Sequence, residues 1–102
     1  MTKQESLLTL LGEECNEIAQ RVSKALRFGL DEKQEGQSFT NRQRLCLEMV
    51  DYLAVVEILA EEGIIPEELQ DIGFDLDELM DAKIEKVKKY IAYSRELGTL
   101  SE

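Results

Sequence analysis

Residues 45–60, LCLEMVDYLAVVEILA, form the most apolar stretch of the chain, and only Glu48, Asp51 and Glu57 interrupt it. Apolar residues this dense leave no helical face free of them, which predicts a helix surrounded by other protein. Glu48 and Asp51 lie three residues apart, so they project side by side, about 60° apart around the axis. Two like charges held against apolar walls lose hydration and repel each other. They therefore require protons or a cation.

Helical periodicity extends to the rest of the chain. A first helix is predicted up to about residue 28, the central one over residues 41–62, and a last one over about residues 76–97. A loop is predicted over residues 29–39, and a short helix from Pro66 to near Gly73. The predicted caps and stops are Thr2 and Gly29, then Thr40 or Ser38 and Gly63, then Asp75 or Asp77 and Gly98.

The first helix carries an apolar stripe with a row of charged residues on its flank. The stripe consists of Leu7, Leu8, Leu11, Cys15, Ile18, Ala19, Val22 and Leu26. The charged row is Glu14, Glu17, Arg21 and Lys24, at steps of three or four residues. Two acids followed by two bases could form part of a functional site. They could also be a solvated helical face on which Glu17 pairs with Arg21.

Composition favours one all-α domain over residues 1–102. Six aromatic residues, one Pro and no Trp argue against a sandwich or barrel. A chain of 102 residues has a modest core. Because only two neighbouring helices in the same chain are available to cover the apolar central one, we expect a helical bundle completed by oligomerisation, as a homodimer or homotetramer.

The charge balance limits the partners of the chain. There are 22 acidic and 12 basic residues, a net charge of −10, which disfavours binding to a nucleic-acid polymer or an anionic membrane. No signal peptide or membrane span is evident, and Cys15 and Cys46 fit buried small hydrophobes in a reducing cytoplasm. Without any His, histidine-based catalysis and Glu-x-x-His di-iron sites are excluded.

Two acidic pairs, each at i and i+3, stand on successive helices: Glu14 with Glu17, and Glu48 with Asp51. Helices joined by a loop commonly pack antiparallel, which would bring both pairs to the same level. Four carboxylates there would form an all-oxygen cage for a hard cation such as Mg²⁺ or Mn²⁺.

These pairs, together with EECNEIAQ and FTNRQRLCLEMVDYLAVVEIL, resemble the signature of the all-α nucleoside triphosphate pyrophosphatases. That superfamily includes MazG proteins, dimeric dUTPases and dCTP pyrophosphatases. The motif helices of the chain most resemble those of the small MazG-like proteins, and the resemblance covers about residues 5 to 97.

The resemblance implies Mg²⁺-dependent hydrolysis of a nucleoside triphosphate between its α and β phosphates, giving the monophosphate and pyrophosphate. Glu14, Glu17, Glu48 and Asp51 would be the metal ligands, and Glu14 or Glu17 would also activate water. Arg21, Lys24, Lys83 and Lys86 are candidates to hold phosphates, or are surface charges. Asn41 is a candidate to read a base edge, or to cap the second helix.

Two other functions are open. An acidic helical protein without catalytic activity could mimic DNA and block a nucleic-acid-binding protein, but a mimic would display its acids outside the apolar helix. A calcium loop over Asp75, Asp77 and Asp81 lacks the Gly and the Glu that such loops need, and capping accounts for these acids.

Overall fold

The computed structural model describes residues 1–68 and 73–101, and within these ranges it contains helices and no strand. The helices are α1, Lys3–Phe28; α2, Asn41–Glu61; and α3, Leu76–Leu97. The predicted all-α class is confirmed. No helix in the described part of the chain is long and apolar enough to cross a membrane.

Short polar side chains cap the helices at the predicted positions. The Thr2 hydroxyl accepts a hydrogen bond from the Glu5 backbone, and the Glu5 side chain accepts one from the Thr2 backbone. Thr40 and Gln43 form the same reciprocal arrangement at the start of α2. Asp75 accepts from the Glu78 backbone at the start of α3. Each cap satisfies donors that the first helical turn would otherwise leave unpaired.

Contacts within the chain divide it into two compact units, Met1–Ile65 and Pro66–Glu102. The first contains α1 and α2, which pack as an antiparallel pair. Lys3 Nζ at the start of α1 lies 2.8 Å from Glu62 Oε1 just beyond α2. Near the same end, Leu7 and Leu59 are the buried apolar residues of this unit.

The face of α1 that turns towards α2 differs from the predicted stripe. The inward positions are Leu7, Leu11, Glu14, Ile18, Arg21 and Ala25. Leu8, Cys15, Ala19, Val22 and Leu26 are exposed, and Leu26 is 82% exposed. α1 has apolar residues on two adjacent faces, and periodicity does not tell which of them α2 covers.

α2 likewise has one covered side. Its inward residues include Asn41, Glu48 and Leu59, whereas Val50 is 61% and Leu53 is 60% exposed. Within the first unit, α1 therefore covers one side of α2 and leaves the opposite side uncovered. We call the outward apolar residues of α2 the outer face; they are Leu47, Met49, Val50 and Leu53.

The second unit contains α3, and its apolar residues Leu76, Leu79, Met80, Ile84, Val87 and Ile91 are all exposed. The short helix predicted from Pro66 falls partly on residues 69–72, which lie outside the described residues. The described residues 66–68 are not helical. Cys15 and Cys46 are free thiols, but both are exposed and not buried as predicted.

Candidate functional site

Three of the four predicted metal ligands come together between α1 and α2. Glu14 and Glu17 lie one turn apart on α1, and Glu48 faces them from α2. One carboxylate oxygen from each lies within 4.8 Å of the other two. We call these three residues the carboxylate cluster. Antiparallel packing creates it, because Glu14 and Glu48 both occupy inward positions of their helices.

The cluster has buried oxygens without hydrogen-bond donors. Oε2 of Glu14 and Oε2 of Glu48 are inaccessible to solvent, and no donor reaches either of them from the described residues. Buried polar atoms in native proteins are nearly always paired, and an unpaired carboxylate oxygen is costly. These two atoms therefore need a proton or a cation.

The electrostatics of the cluster favour the same conclusion. Burial raises the pKa of Glu14 above its ordinary 4.5, and the charges of Glu17, Asp51 and Glu13 raise it further. Burial also raises the pKa of Glu48, followed by a hydrogen bond with Glu17 and by the charges of Glu17, Asp51 and Glu14. Loss of hydration and repulsion between like charges both favour the protonated form.

Asp51 is not one of the three converging residues. It is exposed on α2, one turn after Glu48. Its charge nevertheless contributes to the raised pKa of both Glu14 and Glu48, so its carboxylate acts on the cluster from nearby.

The three carboxylates are the type of donor that a hard cation takes. Carboxylate oxygens are the ligands that Mg²⁺ and Mn²⁺ prefer, and oxygens around an octahedral Mg²⁺ lie about 3 to 4.2 Å apart. The limit of 4.8 Å in the cluster is slightly wider.

One turn beyond Glu17 on α1, Arg21 is buried with only 8% of its surface exposed. Its Nη1 atom is inaccessible and has no acceptor, and no ion pair to Arg21 is present among the described residues. The predicted pairing of Glu17 with Arg21 is therefore absent. A buried guanidinium without a counter-ion is unfavourable, which makes this position suited to an anion.

Farther along α1, a cleft of about 390 Å³ opens between the end of the helix and the start of α2. Ligand sites commonly have volumes of this order. The residues that line it, which we call the cleft residues, are Lys24, Arg27, Phe28, Glu32, Gln34 and Asn41. The Arg27 guanidinium lies over the Phe28 ring, 5.0 Å from its centre.

Asn41, which lines this cleft, holds the loop between α1 and α2 against the start of α2 through hydrogen bonds. It is 2% exposed, and its Nδ2 donates to Gly29 O and to Glu32 Oε1, both at 2.9 Å. Its backbone N–H donates to Glu32 O at 3.0 Å. Gly29 adopts a φ of 98°, which glycine allows without strain, at the turn where the chain leaves α1. The N-cap itself is Thr40, so Asn41 does not have the capping role.

Of the predicted phosphate ligands, Lys24 lines the cleft, and Lys83 and Lys86 are exposed on α3 in the second unit. Sequence reasoning missed Arg27, Phe28, Glu32 and Gln34. The only indication of them in the sequence was that α1 ends with a basic and an aromatic residue before Gly29. That pattern is also typical of an ordinary helix terminus.

No family model matches the chain, and no curated protein or solved structure matches it. The proposed function therefore rests on the geometry of the residues themselves.

Proposed function

We propose that the protein is a Mg²⁺-dependent nucleoside triphosphate pyrophosphohydrolase of the MazG-like type, which cleaves between the α and β phosphates. The observation that carries the proposal is the carboxylate cluster with its two unpaired buried oxygens. Such a cluster is a poor structural element without a cation, because removing charges from water is costly.

The unpaired Arg21 supports a phosphate substrate in particular. A position that needs a cation and a position that needs an anion follow one another on α1, at Glu17 and Arg21. A complex of a divalent cation with a polyphosphate supplies both charges at once. Neither a metal alone nor a phosphate alone would satisfy both groups.

In the proposed reaction Glu14, Glu17, Glu48 and Asp51 would hold the cation. When bound, Mg²⁺ offsets charge on phosphate oxygens and lowers the pKa of bound water. Glu14 or Glu17 orients the attacking water and accepts its proton. Arg21 and Lys24 hold phosphate oxygens, and Lys83 and Lys86 are further candidates for that role.

We also propose that the active form is a homodimer or homotetramer. The outer face of α2 is apolar and exposed, and the apolar residues of α3 are exposed as well. Contiguous apolar surface of this kind marks a protein interface. A second copy of the chain, covering the outer face, would bury the residues that one chain leaves in contact with water.

The test is an assay of pyrophosphate release from each NTP and dNTP with Mg²⁺. Release that needs the metal and yields the monophosphate supports the proposal. Release of inorganic phosphate in its place, or no turnover of any nucleotide with Mg²⁺ or Mn²⁺, contradicts it. The second result would favour the acidic interaction protein, although buried oxygens on Glu14 and Glu48 are unsuited to a displayed DNA mimic.

A further inference from the structure

The cleft beside Asn41 differs in charge from the rest of the chain. Lys24 and Arg27 contribute two positive charges to its lining, and Glu32 contributes one negative charge. No ion pair engages Lys24 or Arg27 among the described residues. A locally basic cleft on a chain of net charge −10 suits an anionic ligand.

One side of the cleft offers an aromatic surface. Phe28 is 53% exposed, and the Arg27 guanidinium lies over its ring. Aromatic rings and guanidinium planes are the surfaces on which nucleobases stack. The ligand therefore combines a flat ring with negative charge.

Two of the cleft residues, Asn41 and Glu32, present hydrogen-bond acceptors, whereas Gln34, whose Oε1 accepts from Arg44 Nη1, has its amide nitrogen left as a donor. Both donors of the Asn41 amide are used, one by Gly29 O and the other by Glu32 Oε1. Because both partners are acceptors, the orientation of the amide is fixed, and Oδ1 is the side-chain atom left for a ligand. Glu32 has a second carboxylate oxygen, Oε2, which is also an acceptor. An exocyclic amino group on a ring fits these acceptors, and a carbonyl oxygen at the same position does not.

The cleft lies farther along α1 than the carboxylate cluster, within reach of a ligand that also contacts the cluster. Lys24 is seven residues after Glu17 on α1, which corresponds to roughly 10 Å along the helix axis. The unpaired Arg21 lies between them on the same helix. The groove between α1 and α2 thus offers a cation site, then an anion site, then a site for an aromatic ring.

We propose that this cleft binds the nucleobase of the substrate and selects bases with an exocyclic amino group, such as cytosine and adenine, through Glu32 and Asn41. The identity of the ligand as a nucleotide rests on the proposed function. The selectivity rests on the acceptors and the Arg27–Phe28 pair alone. A base with a carbonyl group at the same position would leave the acceptors facing another acceptor.

The experiment is calorimetric titration with nucleoside monophosphates in EDTA, so that neither metal nor turnover contributes. CMP is compared with UMP, and AMP with IMP, because each pair exchanges an amino group for a carbonyl oxygen. We expect the amino member of at least one pair to bind about tenfold more tightly. Equal affinity within both pairs, tighter binding of the carbonyl member, or no binding of any of the four at millimolar concentration would overturn the proposal.

Glu32→Gln is the decisive variant. Glutamine keeps an oxygen to accept from Asn41 and replaces the other carboxylate oxygen with a donor, so the preference should fall to within about threefold. Glu35→Gln is the matched control, since Glu35 is exposed in the same loop and does not line the cleft. A preference that survives Glu32→Gln, or that Glu35→Gln abolishes equally, refutes the assignment. Selective binding without any pyrophosphate release would contradict the proposed function and leave this inference standing.

Discussion

Glu14 on α1 and Glu48 on α2 each hold a buried carboxylate oxygen without a hydrogen-bond donor, and both residues belong to the carboxylate cluster between the helices. Each residue occupies a position where the packing of two helices calls for an apolar side chain. Apolar side chains there would stabilise the pair more, and the cation site that we propose would account for the carboxylates.

The first prediction concerns metal binding. Mg²⁺ or Mn²⁺ at about ten times its Kd should stabilise the protein by about 1.4 kcal/mol and raise Tm by several degrees. Glu48→Gln should raise Tm in EDTA, because it relieves repulsion, and should abolish the metal-dependent rise. Glu13→Gln should keep the rise, since Glu13 is exposed. Identical wild-type melting curves in Mg²⁺, Mn²⁺ and EDTA would count against the site.

The second prediction concerns pH. Because the pKa values of Glu14 and Glu48 are raised above 4.5 in the folded protein, the native state binds more protons than the unfolded state above that pH. Their contribution to stability is therefore fully present below pH 4.5 and is lost as pH rises through the folded pKa values. In EDTA, urea unfolding should show wild type losing stability relative to Glu48→Gln as pH increases towards neutrality. Parallel pH profiles for the two proteins would contradict the raised pKa of Glu48.

The third prediction concerns Arg21. Arg21→Met removes a buried, unpaired charge, so it should raise the free energy of unfolding by about 1–3 kcal/mol without ligand. The same change should weaken binding of tripolyphosphate in the presence of Mg²⁺ at least tenfold. Lys33→Met, at an exposed loop position, is the control and should alter neither quantity much. If Arg21→Met binds tripolyphosphate as tightly as wild type, Arg21 does not hold phosphate.

The fourth prediction concerns assembly. Light scattering at micromolar concentration should give two or four times the chain mass of 11.7 kDa. Leu53→Glu places a charge on the outer face of α2 and should shift the protein towards the monomer. Arg42→Glu, at an exposed polar position of the same helix, should leave the assembly intact. A wild-type protein with the mass of a single chain would rule out the proposed oligomer.

Much of the fold and the centre of the candidate site could be predicted from the sequence. The caps at Thr2, Thr40 and Asp75 follow local rules that a single sequence displays. The convergence of Glu14, Glu17 and Glu48 follows from helical spacing and antiparallel packing. The four-acid pattern also predicted Asp51, which stands outside the cluster in a single chain.

The other features depend on contacts between distant residues, which periodicity does not encode. Arg21 has the same spacing whether it lies on a solvated flank or in the contact with α2, and only packing distinguishes the two. The cleft exists because Asn41 binds a loop nine to twelve residues earlier, at Glu32 and Gly29. That contact places Phe28 and Arg27 beside Lys24, and no motif in the sequence indicated it.

The most direct test of the central claim is pyrophosphate release by six variants of matched size. Glu14→Gln, Glu17→Gln, Glu48→Gln and Asp51→Asn remove charges that a hard cation needs. Glu13→Gln and Glu57→Gln alter exposed acids that we do not propose as ligands, and Glu13 acts on Glu14 only through its charge. Each of the four site variants should lose activity by a factor of about 100 or more. Their double mutants should lose little more, because the four groups act as one unit.

The two controls should keep most of their activity, and all six variants should retain wild-type helicity by circular dichroism. That split supports a metal-dependent site at Glu14, Glu17, Glu48 and Asp51. Equal loss in all six would show only a general effect of charge. Site variants as active as Glu13→Gln and Glu57→Gln would contradict the claim that these acids carry the reaction.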